Sequence, residues 1–312
     1  MKRNISKEKI LVTIAVPTYM AELNVEKLIK SLLDQKVSSH IHMQILIHDD
    51  NSSDKTVSTI NKFEKKNLTI YVSKKRIGFT RAVKNILKLS KLSHVLVIIN
   101  DDVLVRDKRF IEKMVKPILS NESVGLVGGN VKPLPPKSFI ERAINTSSRA
   151  YEKMREEYKD GNNKYTCDGK ALAISKKFAD SLTIPDDPKK AGNLDVYLYF
   201  ACLKNNFEYK HAKDAVVYYR NPSTLHDYMK WFIRNNSNRH ILKDEFGELV
   251  DREYKTPSKL IYYKFVEFVK SPVETIFIFL TGFYIRHKAK SHAKIFNETW
   301  SVIGSSKNLD TV

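Results

Sequence analysis

The sequence predicts an α/β fold with a mainly parallel sheet and a helical C-terminal extension. Over the first 130 residues short apolar runs alternate with amphipathic stretches, the pattern of successive βαβ units. Polar, acid-rich segments follow several of those runs directly. From about residue 223 the chain changes character and becomes helical, aromatic-rich and basic. At 312 residues with 42% hydrophobic content, the chain has enough apolar side chain for one large domain with an appendage.

The strands are expected at residues 11–16, 43–48, 68–73, 95–99 and 124–127, each a short run rich in Val, Ile and Leu. Between the last two, residues 107–119 carry Phe110, Ile111, Met114, Val115, Ile118 and Leu119 at helical spacing. Phe79, Val83, Ile86 and Leu87 make a similar stripe, and both stripes read as core without chemistry. After Pro133-Leu134-Pro135-Pro136 the alternation weakens. Residues 138–164 read as a charged helix followed by a Gly161-Asn162-Asn163 loop, and a second set of elements runs over 165–220. The expected division is a domain over 1–222, with halves at about 10–130 and 131–222, and a helical region over 223–312 that is a candidate for a membrane interface.

The 54 Lys and Arg against 35 Asp and Glu give a formal charge of +19, which favours a polyanionic partner: nucleic acid, an anionic membrane surface or a phosphate-bearing substrate. The basic residues are scattered, with no recognition helix, zinc-finger spacing or RNP-like segment, so nucleic acid is not expected as a partner. Cys167 and Cys202 stand apart without CxxC spacing, which excludes a cysteine-rich metal site and a disulfide framework and fits a reducing, cytoplasmic compartment. The apolar run over residues 10–16 leads into Pro17 without a small-residue cleavage site and reads as a buried strand, not a signal peptide. Residues 273–285 are shorter than the roughly 20 residues a spanning helix needs and suit a peripheral position on a membrane better than a crossing.

In a parallel sheet ligands gather at the carboxyl ends of the strands. Three such ends are polar here: Val16-Pro17-Thr18-Tyr19, then Asp49-Asp50-Asn51-Ser52-Ser53-Asp54, then Asn100-Asp101-Asp102. The second is a polar turn with a helix cap at Ser53 or Asp54, or a pair of carboxylates accepting hydrogen bonds from a base and a ribose. For the third, an apolar strand ending in clustered acids calls for a cation or donors to balance them, and carboxylate oxygens suit Mg²⁺ or Mn²⁺.

Taken in order, Val-Pro-Thr-Tyr, Asp-Asp-Asn-Ser-Ser-Asp-Lys-Thr from residue 49, Gly78-Phe-Thr-Arg-Ala-Val-Lys-Asn85 and Asn100-Asp101-Asp102 resemble the N-terminal half of family 2 glycosyltransferases. The resemblance extends more faintly over residues 10–240. It implies a GT-A nucleotide-diphospho-sugar transferase fold, Rossmann-like, and an inverting transfer of a sugar from a nucleotide-diphosphate-sugar to a saccharide or lipid-linked acceptor. Asp49 and Asp50 would recognise the nucleoside with Pro17, Thr18 and Tyr19 beside them, Asp101 would lie near the ribose, and Asp102, last in the DXD-type motif, would hold a divalent metal, Mn²⁺ or Mg²⁺. Asn100 stands where the family commonly has Asp.

Downstream, Gly128-Gly129-Asn130 and Asp168-Gly169 resemble the segments that flank the acceptor side. Gly192-Asn193-Leu194-Asp195 falls where the family usually has Glu-Asp; Leu194 replaces the Glu, leaving Asp195 as the general base or as a helix cap. Residues 227–234 resemble the Gln-x-x-Arg-Trp region with Trp231 and Asn235 in the Gln and Trp positions, which argues against a processive synthase. Arg234 and Arg81 are candidate donor-phosphate contacts, with Lys75 and Arg76 weaker ones. Two other classes share some of these features: a nucleotidyltransferase, though Pro17-Thr18-Tyr19-Met20 lacks its Gly-rich basic loop, and a catalytically silent homologue that only binds a partner.

Overall fold

The computed structural model describes residues 9–63, 67–236, 239–255, 257–292 and 303–309. The first half runs β1 (Ile10–Thr18), α1 (Val25–Leu33), β2 (Ile41–Asp49), α2 (Thr56–Asn61), β3 (Leu68–Val72), α3 (Phe79–Leu89), β4 (Val95–Ile99), β5 (Val103–Val105), α4 (Phe110–Ser120) and β6 (Val124–Pro133). Then come α5 (Phe139–Glu157), β7 (Ala171–Ser175), α6 (Lys176–Ser181), α7 (Pro188–Ala191), α8 (Leu194–Lys204) and β8 (Glu208–Tyr219). Five helices follow: α9 (Leu225–Asn236), α10 (Arg239–Phe246), α11 (Glu248–Glu253), α12 (Lys259–Lys270) and α13 (Pro272–His292).

One eight-stranded sheet has the order β3-β2-β1-β4-β7-β6-β8-β5. The half formed by β3, β2, β1 and β4 is parallel. The other half is mixed: β7 runs antiparallel to both β4 and β6, β6 and β8 are parallel, and β5 is antiparallel to β8. Since β7 is antiparallel to both neighbours, β6 and β8 run in the same direction as β3, β2, β1 and β4, and only β7 and β5 oppose them, so the sheet is mainly parallel as the apolar runs implied. The three-residue β5 is too short to have a pattern of its own.

Each face of the sheet carries its own core. Val12, Ile14, Val97 and Val127 meet α1 and α4 on one side through Leu28, Ile29, Phe110, Met114 and Val115. On the other side Ala15, Ile98, Leu172 and Ile174 meet Val83 and Ile86 of α3 and Leu198, Phe200 and Cys202 of α8. Strand β4 is buried along its whole length, as expected of a strand covered on both faces. Phe79 departs from its expected core position: as the first residue of α3 it stands at the open edge of the sheet, exposed, and lines the cleft described below.

Helix α5 carries the C-terminal helices. Its Ala150 and Met154 pack on Leu260 and Tyr263 of α12, and its Ile144 packs with Tyr228 of α9 and Ile285 of α13. Arg149 of α5 donates from Nε to the buried Glu267 of α12 at 2.8 Å. Only the inner faces of α12 and α13 are used. The outer faces expose Ile261, Tyr262, Phe265, Val269, Val273, Phe279, Leu280 and Phe283, each more than half accessible. Among the described residues no helix is long and apolar enough to cross a membrane. The side chains of Arg286, Lys288 and Lys290, and all of Lys294, lie outside the described residues.

Residues 303–309 bridge the start of the helical region, the end of β8 and the N-terminal half. Ser305 donates its backbone N–H to Asp227 at 3.0 Å, Asn308 accepts from Arg220 at 3.1 Å, and Leu309 is buried with its N–H on Asn24. The division at 222/223 thus separates composition but not the site.

Candidate active site

The carboxyl ends of β2, β1 and β4 are neighbours in the sheet, and β7, running the other way, begins where β4 ends, with Ala171 opposite Ile99. Four loops distant in sequence therefore open on one edge. The cleft there, of about 1150 Å³, is lined by Pro17, Thr18, Tyr19, Asp50, Asn100, Asp101, Asp102, Asp168, Gly169, Asp195 and Arg234, among others. Of the candidate residues singled out from the sequence, Asp49, Lys75, Arg81 and the Gly128-Gly129-Asn130 segment do not line it.

The two acids after β2 have separate tasks. Asp49 is fully buried and ties the turn: it accepts from Thr18 Oγ1 at 3.2 Å, from Ser52 Oγ at 2.6 Å and from the Ser52 N–H at 2.8 Å. Asp50 reaches across to the loop before α3, where it accepts the N–H groups of Ile77 at 2.7 Å and Gly78 at 2.9 Å. Gly78 has φ +85°, a conformation open to glycine without steric cost, and its N–H is thereby turned onto the carboxylate. Arg81 folds back along its helix onto the Ile77 carbonyl at 3.4 Å. Arg76 takes the place expected for Arg81, lying in the cleft with its guanidinium 3.9 Å from the Tyr19 ring centroid. Gly128 and Gly129 are buried within β6; a Cβ at Gly128 would meet the Tyr209 hydroxyl at 2.1 Å, so these glycines serve packing.

After β4, Asp101 accepts the Tyr19 N–H at 3.0 Å and pairs with the Lys307 ammonium at 3.1 Å. Lys307 also donates to the Tyr19 carbonyl. Burial pushes the Asp101 carboxyl up, Lys307 draws it down and Asp102 raises it further, with the balance upward. Lys307 lines the cleft and was not among the residues the sequence singled out: it lies 206 positions from Asp101 in a segment without a motif, and no local signal marks it. Asp102 has a different environment. Its Oδ1 is buried with no hydrogen-bond partner among the described residues, and the same holds for Asn100 Oδ1. A bare, buried carboxylate oxygen is costly unless a cation meets it, so Asp102 fits a divalent ion, as a hard oxygen ligand should. Among the described residues no three His, Cys, Asp or Glu cluster as a ready-made metal cage.

On the other wall, Asp195 in the first turn of α8 accepts the Gly169 N–H at 3.0 Å and the Val196 N–H at 2.8 Å. The second bond is to the next residue's N–H within the helix and is not a cap, since Asn193 stands at the N-cap of α8; the first ties the carboxylate to the loop before β7. Burial and then the neighbouring Asp168 raise the Asp195 carboxyl, against the lowering effect of those two N–H groups. Asp168 goes the other way: burial pushes it up, but Lys170, 3.5 Å away, its own backbone contact and Arg155 outweigh that and hold it low. The two half-buried carboxyls thus shift in opposite directions, Asp195 up and Asp168 down. Arg234, on α9, lines the same wall.

A family description, glycosyl transferase family 2, matches residues 13–182, more than half of the chain. Among solved structures, the fold is similar to the mannosyltransferase PcManGT from Pyrobaculum calidifontis in complex with GDP-Man and Mn²⁺, at 19% identity and TM-score 0.57, covering 91% of this chain and 76% of that one. It is also similar to glucosyl-3-phosphoglycerate synthase from Mycobacterium tuberculosis in complex with Mn²⁺, UDP and phosphoglyceric acid, at 15% identity and TM-score 0.53, over 76% and 79% of the two chains. S. aureus TarS 1–349 in complex with UDP aligns at 17% identity and TM-score 0.50, over 77% and 71%. No curated protein sequence matches the chain significantly. The family match spans all three polar strand ends and the Asp168-Gly169 loop, and the strand order delivers those segments to one cleft: the chain belongs to glycosyl transferase family 2 and is a glycosyltransferase.

Proposed function

We propose that the chain transfers a sugar, with inversion and one residue at a time, from a nucleotide-diphosphate-sugar to an acceptor hydroxyl, with a divalent metal, Mn²⁺ or Mg²⁺, at Asp102. The observation that carries this reading is the pairing of a bare, buried Asp102 oxygen with a raised, oriented Asp195 carboxylate in one cleft. Bound there, the metal would supply Lewis-acid stabilisation of the leaving diphosphate.

The protein's own contributions follow from the geometry. Asp50 fixes the loop at Ile77 and Gly78 and so shapes the nucleoside end of the cleft. The acceptor oxygen attacks the anomeric carbon as the bond to the diphosphate breaks on the opposite face, and Asp195 takes the hydroxyl proton; no covalent enzyme intermediate is needed. Burial makes Asp195 a stronger base than an exposed carboxylate, and two N–H groups hold it in one orientation, which suits general-base work. Trp231 and Asn235 in the Gln and Trp positions of the processive signature support single transfers.

The exposed outer faces of α12 and α13, with Lys259, Lys264 and Lys270 on the same pair of helices, support a peripheral position on an anionic cytoplasmic membrane surface, and with it a lipid-linked or membrane-proximal acceptor. Asp102→Asn tests the core of the reading. The variant should lose most donor turnover and the Mn²⁺-dependent part of donor binding while keeping its melting temperature. Wild-type turnover and metal dependence in that variant would refute it.

A further inference from the structure

Four of the nine Lys and Arg side chains that line the cleft pair with a carboxylate: Lys307 with Asp101 at 3.1 Å, Lys170 with Asp168 at 3.5 Å, Arg220 with Glu141 at 3.1 Å and Arg239 with Asp251 at 3.0 Å. Lys164 has no carboxylate within ion-pair reach among the described residues. Its ammonium lies between two aromatic faces, 3.7 Å from the ring centroid of Tyr165 and 3.6 Å from that of Tyr254, and it lines the cleft on the wall that carries Asp195. Arg155 and Arg234 line the cleft too without a carboxylate within ion-pair reach among the described residues; Arg155 donates to the Val131 carbonyl at 2.7 Å.

A half-buried ammonium between rings recovers only part of its lost hydration from the ring faces and retains an unmet demand for an anion. The charged groups acting on Lys164 are Arg239 of α10, Asp195 of α8 and Glu253 of α11, besides the rings of Tyr165 and Tyr254; Asp102, proposed for the donor diphosphate, is not one of them. Resting on the reading of this cleft as a transferase site, we infer that the acceptor carries an anionic group, a phosphate or a carboxylate, and that Lys164 is the cation that receives it between Tyr165 and Tyr254. An acceptor docked by its charge at Lys164 would present a hydroxyl to Asp195 from a fixed point. The slot is also sensitive to pH. Burial and then Arg239 lower the Lys164 ammonium to about 7, against the raising effect of Asp195 and Glu253, so its charge, and the affinity for an anion, fall as pH rises through neutrality.

Sulfate is the suitable first probe because its own charge is constant over that range. Full-length protein with the donor half filled by Mn²⁺ and UDP or GDP is titrated with sulfate by calorimetry at pH 6 and pH 8. The parent should bind saturably and several-fold more tightly at pH 6; Lys164→Met should weaken binding at least tenfold at pH 6, and Lys164→Arg should bind with little pH dependence. Displacement of sulfate by glycerol 3-phosphate against dodecyl phosphate in neutral micelles then tells a soluble from a lipid-borne source. Absence of saturable binding, equal affinity in Lys164→Met, or the same pH profile in all three proteins would overturn the inference. The melting temperature and nucleotide–Mn²⁺ affinity of Lys164→Met control for misfolding. If the parent binds neither nucleotide with Mn²⁺, it is the transferase reading that fails; if nucleotide binds and sulfate does not, only the acceptor inference fails.

Discussion

Replacing Lys307 with Met keeps the stem and removes the charge, leaving Asp101 with the Tyr19 N–H as its remaining partner. The pair is largely buried, with side-chain exposures of 17% and 11%. At 3.1 Å and an effective dielectric near 20, its attraction is about 5 kcal/mol, and breaking a buried pair from one side costs about 3–5 kcal/mol. Asp101 has one escape, which is to take a proton, so the cost at neutral pH should settle at about 2–3 kcal/mol.

That escape gives the prediction a pH signature. Burial already raises Asp101 in the folded state above its ordinary 3.8, so the native protein holds more protons than the unfolded chain above that value, and stability falls as pH rises through the raised pKa. Removing Lys307 raises it further, so the deficit of the variant should be small at pH 4 and grow toward neutrality. Urea unfolding of the parent, Lys307→Met, Asp101→Asn and the double variant at pH 4 and pH 7 gives the coupling directly. In the Asp101→Asn background the Lys307 change should cost little. A Lys307→Met variant within about 0.5 kcal/mol of the parent at pH 7, or a deficit equal at both pH values, would refute the seating of residues 303–309 on the donor edge.

Asp50→Ala should weaken nucleotide binding even without metal, because the loop at Ile77 and Gly78 loses both its anchors; unchanged affinity for the free nucleotide in calorimetry would contradict this. Asp195→Asn should lower kcat by about 10²–10⁴ with donor affinity nearly preserved. In the parent, kcat should rise with pH through the Asp195 pKa, which burial holds above 3.8, and that limb should vanish in the variant; equal losses in kcat and donor affinity would assign Asp195 a structural role. Changing Arg286, Lys288, Lys290 and Lys294 to Gln should reduce sedimentation with anionic liposomes at low salt, since each basic residue near such a surface contributes about 1 kcal/mol. If the parent itself stays in the supernatant, or the variant pellets equally well, the membrane reading should be dropped.

Much of the donor half was determined by the sequence itself, for a local reason: a buried strand, the polar turn at its end and the helix after it form one continuous segment, so Pro17-Thr18-Tyr19, Asp49-Asp50 and Asn100-Asp101-Asp102 announce both an element and its open edge. The division of labour within those segments was not local. Asp49 and Asp50 are adjacent and alike in sequence, yet one is consumed by Thr18 and Ser52 while the other reaches the Gly78 loop, because successive residues leaving a strand point to opposite sides. Of the two arginines expected as candidate phosphate contacts, Arg76 follows a strand and lies in the cleft, while Arg81 lies within α3 and folds back on it. Strand direction in the second half, the aromatic slot around Lys164 and the return of Lys307 to Asp101 were decided only by tertiary structure. Each joins residues dozens to hundreds of positions apart, and such contacts arise from the closing of the sheet and the packing of its helices, to which no short stretch of sequence holds a key.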